Sequence, residues 1–151
     1  MPRENLIGEE GKGLKIALVT LNTGRLTLPA VCAGIAKQCL EVVRGWSNAR
    51  YQWGVPIWKH EAIAHEIADM AATTFAMDSV AKLASQMADR GGYDIRLEAA
   101  AAKEWNTVRA WEIPDRTLQI RGGRGYETER SLQGRGETPI PVERLMRDCR
   151  I

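Results

Sequence analysis

Apolar residues recur at a helical spacing along the first third of the chain, between residues 14 and 46. The stripe steps by alternating fours and threes through Leu14, Leu18, Leu21, Arg25, Leu28, Cys32, Ile35, Cys39, Val42 and Trp46. A spacing sustained over that length predicts one long amphipathic helix. Pro29 should bend this helix or loosen one of its turns, because proline donates no backbone hydrogen bond.

Arg25 is the one charged member of that stripe. A buried guanidinium without a partner is costly, so its tip would need a carboxylate, an anionic ligand or a water-filled pocket. The other interpretation is that only its aliphatic stem is buried while its charged head reaches solvent. The pattern alone leaves both open.

Two more long helices follow. A second stripe, over residues 60–90, ends at Gly91-Gly92 and runs through Ile63, Ile67, Met70, Met77, Val80 and Met87. A third helix should begin at Tyr93 or Asp94, with Asp94 as its N-cap, and run towards Gln119 with a kink or break near Pro114. Its apolar side would carry Leu97, Ala101, Trp105, Val108 and either Trp111 or Glu112.

The remaining segments are shorter. Residues 1–13 are punctuated by glycine and proline and are predicted to be a leader or inter-domain linker. Residues 45–56 and 127–138 are predicted to be loops, and residues 142–150 a short last helix introduced by Pro139 and Pro141. No period-two segment longer than a few residues occurs, so strands are not expected.

These elements predict an all-α fold, an up-and-down helical bundle of three long helices plus a short C-terminal helix, formed by residues 14–151. The fourth long helix of a complete bundle is missing from the chain. An apolar groove should therefore remain open, to be covered by a second copy, a swapped helix or another chain.

Composition narrows the class of partner. The chain has 151 residues, of which 44% are hydrophobic, and 21 Lys+Arg stand against 19 Asp+Glu. This balance predicts one domain and argues against nucleic acid or an acidic membrane as a partner. No signal peptide is evident, and we expect no membrane span because no apolar run approaches about 18 residues.

The cysteines and histidines predict neither a disulfide framework nor a metal site. Cys32, Cys39 and Cys149 are odd in number and form no C-x-x-C pair, so a reducing cytoplasm is expected. Cys32 and Cys39 lie seven residues apart in the apolar helical pattern, which predicts that these two thiols are buried. His60 and His65 are five residues apart, one too many for the H-E-x-x-H zinc motif.

Two segments are candidates for ligand chemistry. Residues 119–126 form a glycine-rich corner in which Gly122, Gly123 and Gly125 would allow close backbone approach and the arginines at 121 and 124 would favour an anion. An ordinary helix cap followed by a loop is the alternative. Residues 45–56 alternate aromatic residues with Arg50, which would either stack a planar ligand or seal the end of the bundle.

Taken together, these segments resemble the acyl-CoA dehydrogenases over nearly the whole chain. The resemblance lies in the order and spacing of four segments: the leader Pro-Arg-Glu-Asn-Leu-Ile-Gly from residue 2, Arg-Tyr-Gln-Trp-Gly-Val-Pro-Ile from residue 50, Gln-Ile-Arg-Gly-Gly-Arg-Gly-Tyr from residue 119, and Pro-Val-Glu-Arg-Leu-Met-Arg-Asp from residue 141, together with Arg25 in the first helix. The resemblance implies the C-terminal helical domain of a flavoenzyme that binds FAD and oxidises an acyl-CoA to the trans-2-enoyl-CoA. It also implies electron transfer to an electron-transferring flavoprotein and a homo-oligomer, a dimer or tetramer.

Residue roles follow from the same resemblance. Arg50 matches the arginine that reaches the FAD pyrophosphate, and Gln52 and Trp53 match its cofactor-packed neighbours, where phenylalanine is usual in place of Trp53. The stretch that touches the ADP half of FAD, held mainly by a partner subunit, is matched by Gln119, Gly122 and Gly123. The acyl-CoA pocket is matched by Asn22 and Arg25.

Two departures bear on activity. The glutamate that usually acts as base belongs to an aromatic-Glu-Gly-Thr segment beyond the equivalent of Ile151, and Gly24 stands where some members carry a glutamate in the first helix. No catalytic residue is therefore assigned, and we expect the chain alone to be inactive and not to retain FAD. The competing interpretations are a non-enzymatic helical oligomerisation module and an enzyme of the acyl-CoA oxidase or nitroalkane oxidase type.

Overall fold

The computed structural model describes residues 2–92 and 94–150. Its three long helices are α1 (Gly13–Ala49), α2 (Glu61–Arg90) and α3 (Arg96–Arg121), followed by the short helices α4 (Glu129–Gly134) and α5 (Val142–Asp148). Single 3-10 turns lie at Arg3–Asn5, Ile57–Lys59 and Gly122–Tyr126. The only strands within this part of the chain, β1 (Tyr51–Gln52) and β2 (Val55–Pro56), form a minimal antiparallel hairpin. The prediction of an all-α bundle of three long helices plus a short C-terminal helix is confirmed.

The core lies where α1 packs against both other long helices. Small residues, methionines and three isoleucines form it: Cys32, Ala33, Ala36, Cys39, Val43, Ile57, Met70, Met77, Ala110, Ile113 and Ile120. Small residues let the helix backbones come close, and methionine fills the irregular space that remains. Complete burial of side chains such as Met70 and Met77 stabilises the fold by about 1.5–3 kcal/mol each.

Asn106 is a buried polar residue that connects all three helices. Its amide Nδ2 donates to the carbonyl oxygen of Pro29 on α1 at 3.4 Å and to that of Met77 on α2 at 3.3 Å. Both α1 and α3 continue past their internal prolines, so of the kink or break predicted near Pro114, the break does not occur. The two prolines are themselves buried, where their rings pack as apolar groups.

The predicted buried face of α3 is wrong. Leu97 is 78% exposed and Val108 is also exposed. The buried side is instead formed by Ala99, Ala102, Asn106, Ala110, Ile113 and Thr117. Large apolar residues suggested one face, but close packing of α3 on α1 selects the face that carries alanine.

Helix boundaries differ from the predictions in three places. Ile95 rather than Asp94 is the N-cap of α3, although the Asp94 carboxylate accepts the Arg96 N–H at 3.0 Å. Tyr93, the other predicted start, lies outside the described residues. The predicted loop at 45–56 is helical as far as Ala49, and the predicted loop at 127–138 contains α4, whose N-cap Thr128 accepts the Ser131 N–H.

The apolar stripe on the first half of α1 is exposed to solvent. Leu14 is 75% exposed, and Leu18, Leu21 and Leu28 are exposed as well. By length and composition α1 could cross a membrane, so the expectation that no stretch passes that test is wrong. Core helices of soluble proteins pass the same test, and the second half of α1 is such a helix.

Candidate functional site

One open cleft, of about 750 Å³, lies at the end of the bundle where α1 and α3 finish and α2 begins. All six residues predicted to contact the cofactor line it: Arg50, Gln52, Trp53, Gln119, Gly122 and Gly123. The other lining residues are Trp46, Ile57, His60, Ala62, Ile63, Ile120, Arg121 and Arg124. The fold thus brings together two segments that are nearly 70 residues apart in sequence.

Arg50 is held at the first wall by backbone hydrogen bonds on both sides. Its N–H donates to the carbonyl oxygen of Trp46 at 2.8 Å, and its own carbonyl accepts the Ile57 N–H at 2.8 Å. Its guanidinium is exposed and takes part in none of the ion pairs found within residues 2–92 and 94–150. A fixed backbone and an uncommitted guanidinium suit bidentate binding of an anion.

Trp53 occupies the tip of the hairpin in a conformation that few residues of its kind adopt. Its φ is 49° and that of Gly54 is 82°, as a two-residue turn of type I′ between paired strands requires. The indole is 87% exposed and meets the His60 ring edge-on, with 5.2 Å between ring centroids. An exposed aromatic residue in the left-handed region is unfavourable for the fold, which points to a role in binding.

The glycines of the second wall have different roles. Gly122 follows the last residue of α3 with φ of 61°, and a Cβ added at Gly122 or Gly123 would meet only open space. These two positions therefore leave room for a ligand beside the backbone. A Cβ at Gly125 would lie 2.9 Å from the Cα of Leu118, so that glycine is required by packing.

The two arginines of the corner are already paired with carboxylates. Arg121, with 6% of its side chain exposed, places Nη2 3.1 Å from Glu137 Oε2, and Arg124 pairs with the other oxygen of the same carboxylate. Arg124 Nε also lies 3.5 Å from Glu127 Oε1. This pairing corrects the interpretation that both arginines offer their charge to a ligand.

Trp46 joins the two walls. Its Nε1 donates to the carbonyl oxygen of Ile120 at 3.2 Å, and the guanidinium carbons of Arg121 and Arg124 lie 5.5 and 5.9 Å from its ring centroid. Cation–π geometry of this kind favours a fixed indole. The sequence placed Trp46 in the aromatic segment 45–56 without indicating these contacts, and it carried no signal for Glu137.

Asn22 and Arg25, the predicted acyl-CoA contacts, lie apart from the cleft. Arg25 Nη1 donates to Asn22 Oδ1 at 3.2 Å, one turn away on α1. At 1.5 Å per residue, Arg25 is about 30 Å along the helix axis from Trp46. No ion pair to Arg25 occurs in the described ranges, and its side chain is half-buried.

The cysteines are poor candidates for chemistry. Cys32 and Cys39 are buried, as predicted, and all three thiols are free. Burial raises the pKa of Cys39 to about 12 and that of Cys149 to about 11, so both stay protonated and unreactive near neutral pH. Among the described residues, no group of three His, Cys, Asp or Glu side chains is arranged to hold a metal ion.

The family model described as acyl-CoA dehydrogenase, C-terminal domain, matches residues 11–151. The chain belongs to the acyl-CoA dehydrogenase family. Among its relatives, the protein described as probable acyl-CoA dehydrogenase FadE10 of Mycobacterium tuberculosis is 58% identical over all 151 residues. The mitochondrial very long-chain specific acyl-CoA dehydrogenase of Homo sapiens is 32% identical over the same length. The chain spans 23% and 22% of those two proteins.

Solved acyl-CoA dehydrogenase structures share the fold. Butyryl-CoA dehydrogenase from Megasphaera elsdenii aligns with a TM-score of 0.86 and 34% identity, covering 99% of this chain and 36% of that one. A glutaryl-coenzyme A dehydrogenase in complex with glutaryl-CoA also gives a TM-score of 0.86, with 30% identity over 99% of this chain and 35% of that one. The helical bundle is therefore a shared part of larger dehydrogenase chains.

Proposed function

We propose that this chain supplies one face of the FAD site of an acyl-CoA dehydrogenase that oxidises an acyl-CoA thioester to the trans-2-enoyl-CoA. The observation that carries the proposal is the convergence of all six cofactor-matched residues on one cleft. The names of the relatives favour a dehydrogenase over an oxidase or a non-enzymatic module.

The residues of the cleft fit the nucleotide end of FAD. Arg50 offers an uncommitted guanidinium to the pyrophosphate, and the open backbone at Gly122 and Gly123 offers close approach to the adenosine. Trp53 presents an exposed indole on which a planar group can stack. Bound FAD supplies a hydride acceptor for the acyl-CoA substrate.

In this proposal the chain binds and orients and does not itself remove the substrate proton. No aspartate or glutamate lines the cleft among the described residues. A base for the α-proton must therefore come from outside the cleft, and the cleft's own task is to hold the cofactor in place.

The remaining assignments are proposals from the family. Asn22 and Arg25 would contact the acyl-CoA, electrons would pass to an electron-transferring flavoprotein, and a homo-oligomer would bring a second subunit to the open side of the cleft. One structural relative, described as an electron transferring flavoprotein of Acidaminococcus fermentans, is consistent with such a partner. We propose the cytoplasm as the location, which suits three free thiols.

The test is a titration of the chain with FAD and with ADP, in which the quenching of tryptophan fluorescence reports binding. We expect weak, reversible binding of both, because the chain supplies only one face of the site. Arg50→Gln should weaken the binding of both by about tenfold, because a charge-assisted contact to phosphate is lost. Arg90→Gln, at another exposed arginine, the last residue of α2, is the matched control.

Three outcomes would count against the proposal. Equal affinity of Arg50→Gln and the unchanged chain would remove the pyrophosphate assignment. Absence of FAD and ADP binding from an otherwise folded oligomer would favour the non-enzymatic module. Reduction of a dye by the chain alone in the presence of acyl-CoA would refute the view that its base lies elsewhere.

A further inference from the structure

Glu137 lies behind the glycine corner, on the side away from the cleft. It lines a separate cavity of about 460 Å³ together with Glu41, Val42, Thr138 and Ile140, and it is not among the residues that line the cleft. Trp46 and Arg121 line both cavities, so they form the wall between them. A carboxylate on the far side of this wall draws positive charge away from the ligand.

Glu137 is held in place by its own segment. Its N–H donates to the carbonyl oxygen of Leu132 at 3.0 Å, and the Gly136 N–H donates to that of Gln133 at 3.0 Å. The buried Leu132 anchors α4 against the bundle. The carboxylate therefore reaches the corner from a folded segment, 13 and 16 residues beyond the two arginines it binds.

The pairing changes the electrostatics of the cleft. Three guanidinium groups line it, those of Arg50, Arg121 and Arg124, but two of them share one carboxylate. Arg50 remains as the cation of the cleft without a carboxylate partner in the described part of the chain. One free guanidinium suits the pyrophosphate diester of a dinucleotide, whereas three free guanidinium groups would favour ligands with more negative charge.

We propose that Glu137 determines the ligand specificity of this cleft, by withholding Arg121 and Arg124 so that a dinucleotide diester is preferred over ligands with a terminal phosphate. This inference rests on the proposed function. A terminal phosphate adds about one further negative charge near neutral pH, and that charge is what the withheld arginines would otherwise recognise.

The experiment compares FAD, ADP and inorganic tripolyphosphate as ligands of the unchanged chain and of Glu137→Gln. We expect the variant to bind ADP about fivefold more tightly and tripolyphosphate more tightly by a similar factor. The reason is that the guanidinium of Arg124 becomes available to the ligand, although its ion pair with Glu127 still offsets part of its charge. FAD affinity should change by less than about twofold, and added salt should reverse the gain for ADP.

A second variant guards against loss of the fold. Glu137→Gln alone is destabilising, because it leaves Arg121 buried without its carboxylate partner. The double variant Arg121→Met with Glu137→Gln removes both charges and keeps a long apolar side chain against Trp46. It should show the same gain for ADP. Adding Arg124→Gln should abolish that gain, and Glu129→Gln, whose partner Arg144 lies outside the cleft, should have no effect.

The outcomes separate the two proposals. An unchanged ratio of ADP to FAD affinity in both variants, or equal weakening of every ligand, would overturn the specificity role and leave Glu137 as a structural brace. If the unchanged chain binds neither FAD nor ADP, the proposed function fails. In that case the tripolyphosphate titration still tests whether Glu137 withholds the two arginines. Tighter binding of tripolyphosphate by the variants supports that role, and unchanged binding overturns it.

Discussion

Trp53 has a backbone conformation that favours asparagine or glycine. Because a non-glycine residue in the left-handed region is disfavoured and an Asn-Gly pair suits this turn, Trp53→Asn should raise the free energy of unfolding by up to about 1 kcal/mol. The same change should weaken FAD binding by about tenfold, since an aromatic platform is lost. Urea denaturation and the FAD titration measure the two effects.

Trp58 serves as the control for that change, because it lies near the hairpin but does not line the cleft. Trp58→Asn should leave FAD affinity unaltered. A fall in the stability of Trp53→Asn would show that the indole supports the fold, and the case for a binding role would then be lost.

Cys39 links stability to alkaline pH. Burial raises the pKa of this thiol from about 9 to about 12, so the folded chain holds the proton more tightly than the unfolded chain does. The resulting stabilisation is complete below about pH 9 and is lost as the pH rises towards 12. At about 1.36 kcal/mol per pKa unit, it amounts to at most about 4 kcal/mol.

The measurement is the free energy of unfolding from pH 8 to pH 11 for the unchanged chain and for Cys39→Ala. The variant should be less stable at every pH because of the cavity it creates, but its decline with pH should be shallower. Parallel curves for the two proteins would contradict the assigned thiol.

Gly123 and Gly125 are two residues apart, but their substitutions should affect different properties. Gly125→Ala forces a methyl group against the backbone of Leu118, so it should lower the free energy of unfolding by about 1–3 kcal/mol. Gly123→Ala should change stability by less than about 0.5 kcal/mol, because its Cβ meets open space. Its effect should fall on FAD affinity, which the added methyl group should reduce.

Chemical denaturation and the FAD titration on the same two proteins check this pair. Equal destabilisation by both substitutions would mean that the corner is one rigid packing unit. If only Gly125→Ala lost FAD binding, FAD would have to bind on the side of the corner where Gly125 lies.

Elements with a clear helical period could be predicted, and those fixed by distant contacts could not. α1, α2, α3 and α5 follow from apolar spacing and from glycine and proline boundaries. α4 is polar in sequence, with only Leu132 buried, so its helix depends on packing that sequence spacing does not record. The buried side of α3 was mispredicted because close contact with α1 favours alanine over leucine.

The candidate site was predictable in part for the same reason. Arg50, Gln52, Trp53, Gln119, Gly122 and Gly123 belong to two compact motifs whose order resembles the family, and the structure places them in one cleft. Glu137 belongs to a polar segment with no pattern, and its pairing with Arg121 depends on how residues 127–140 fold back. Whether the six residues bind FAD stays a prediction until it is measured.

The bundle as a whole exposes an apolar surface on the first half of α1. Leu14, Leu18 and Leu21 are all exposed, and contiguous apolar surfaces of this kind are usually covered in the functional protein. We therefore predict that the chain associates with itself in solution. Leu18→Glu should shift sedimentation towards the monomer, because a charge in such an interface is not tolerated.

Leu97→Glu is the comparison for that change, since Leu97 is exposed near the start of α3 rather than on α1. It should leave the sedimentation profile unaltered. A monomeric unchanged chain with little binding of a hydrophobic dye would contradict the prediction of an apolar interface.

The hydrogen bond from Trp46 to Ile120 has a consequence for heat stability. It ties the cleft to the packing of α1 on α3, so the cleft has no counterpart in the unfolded chain. A ligand that binds only the folded form raises its stability by about 2.7 kcal/mol at a concentration a hundred times its Kd. If FAD or ADP binds in the cleft, the melting temperature should rise with nucleotide concentration.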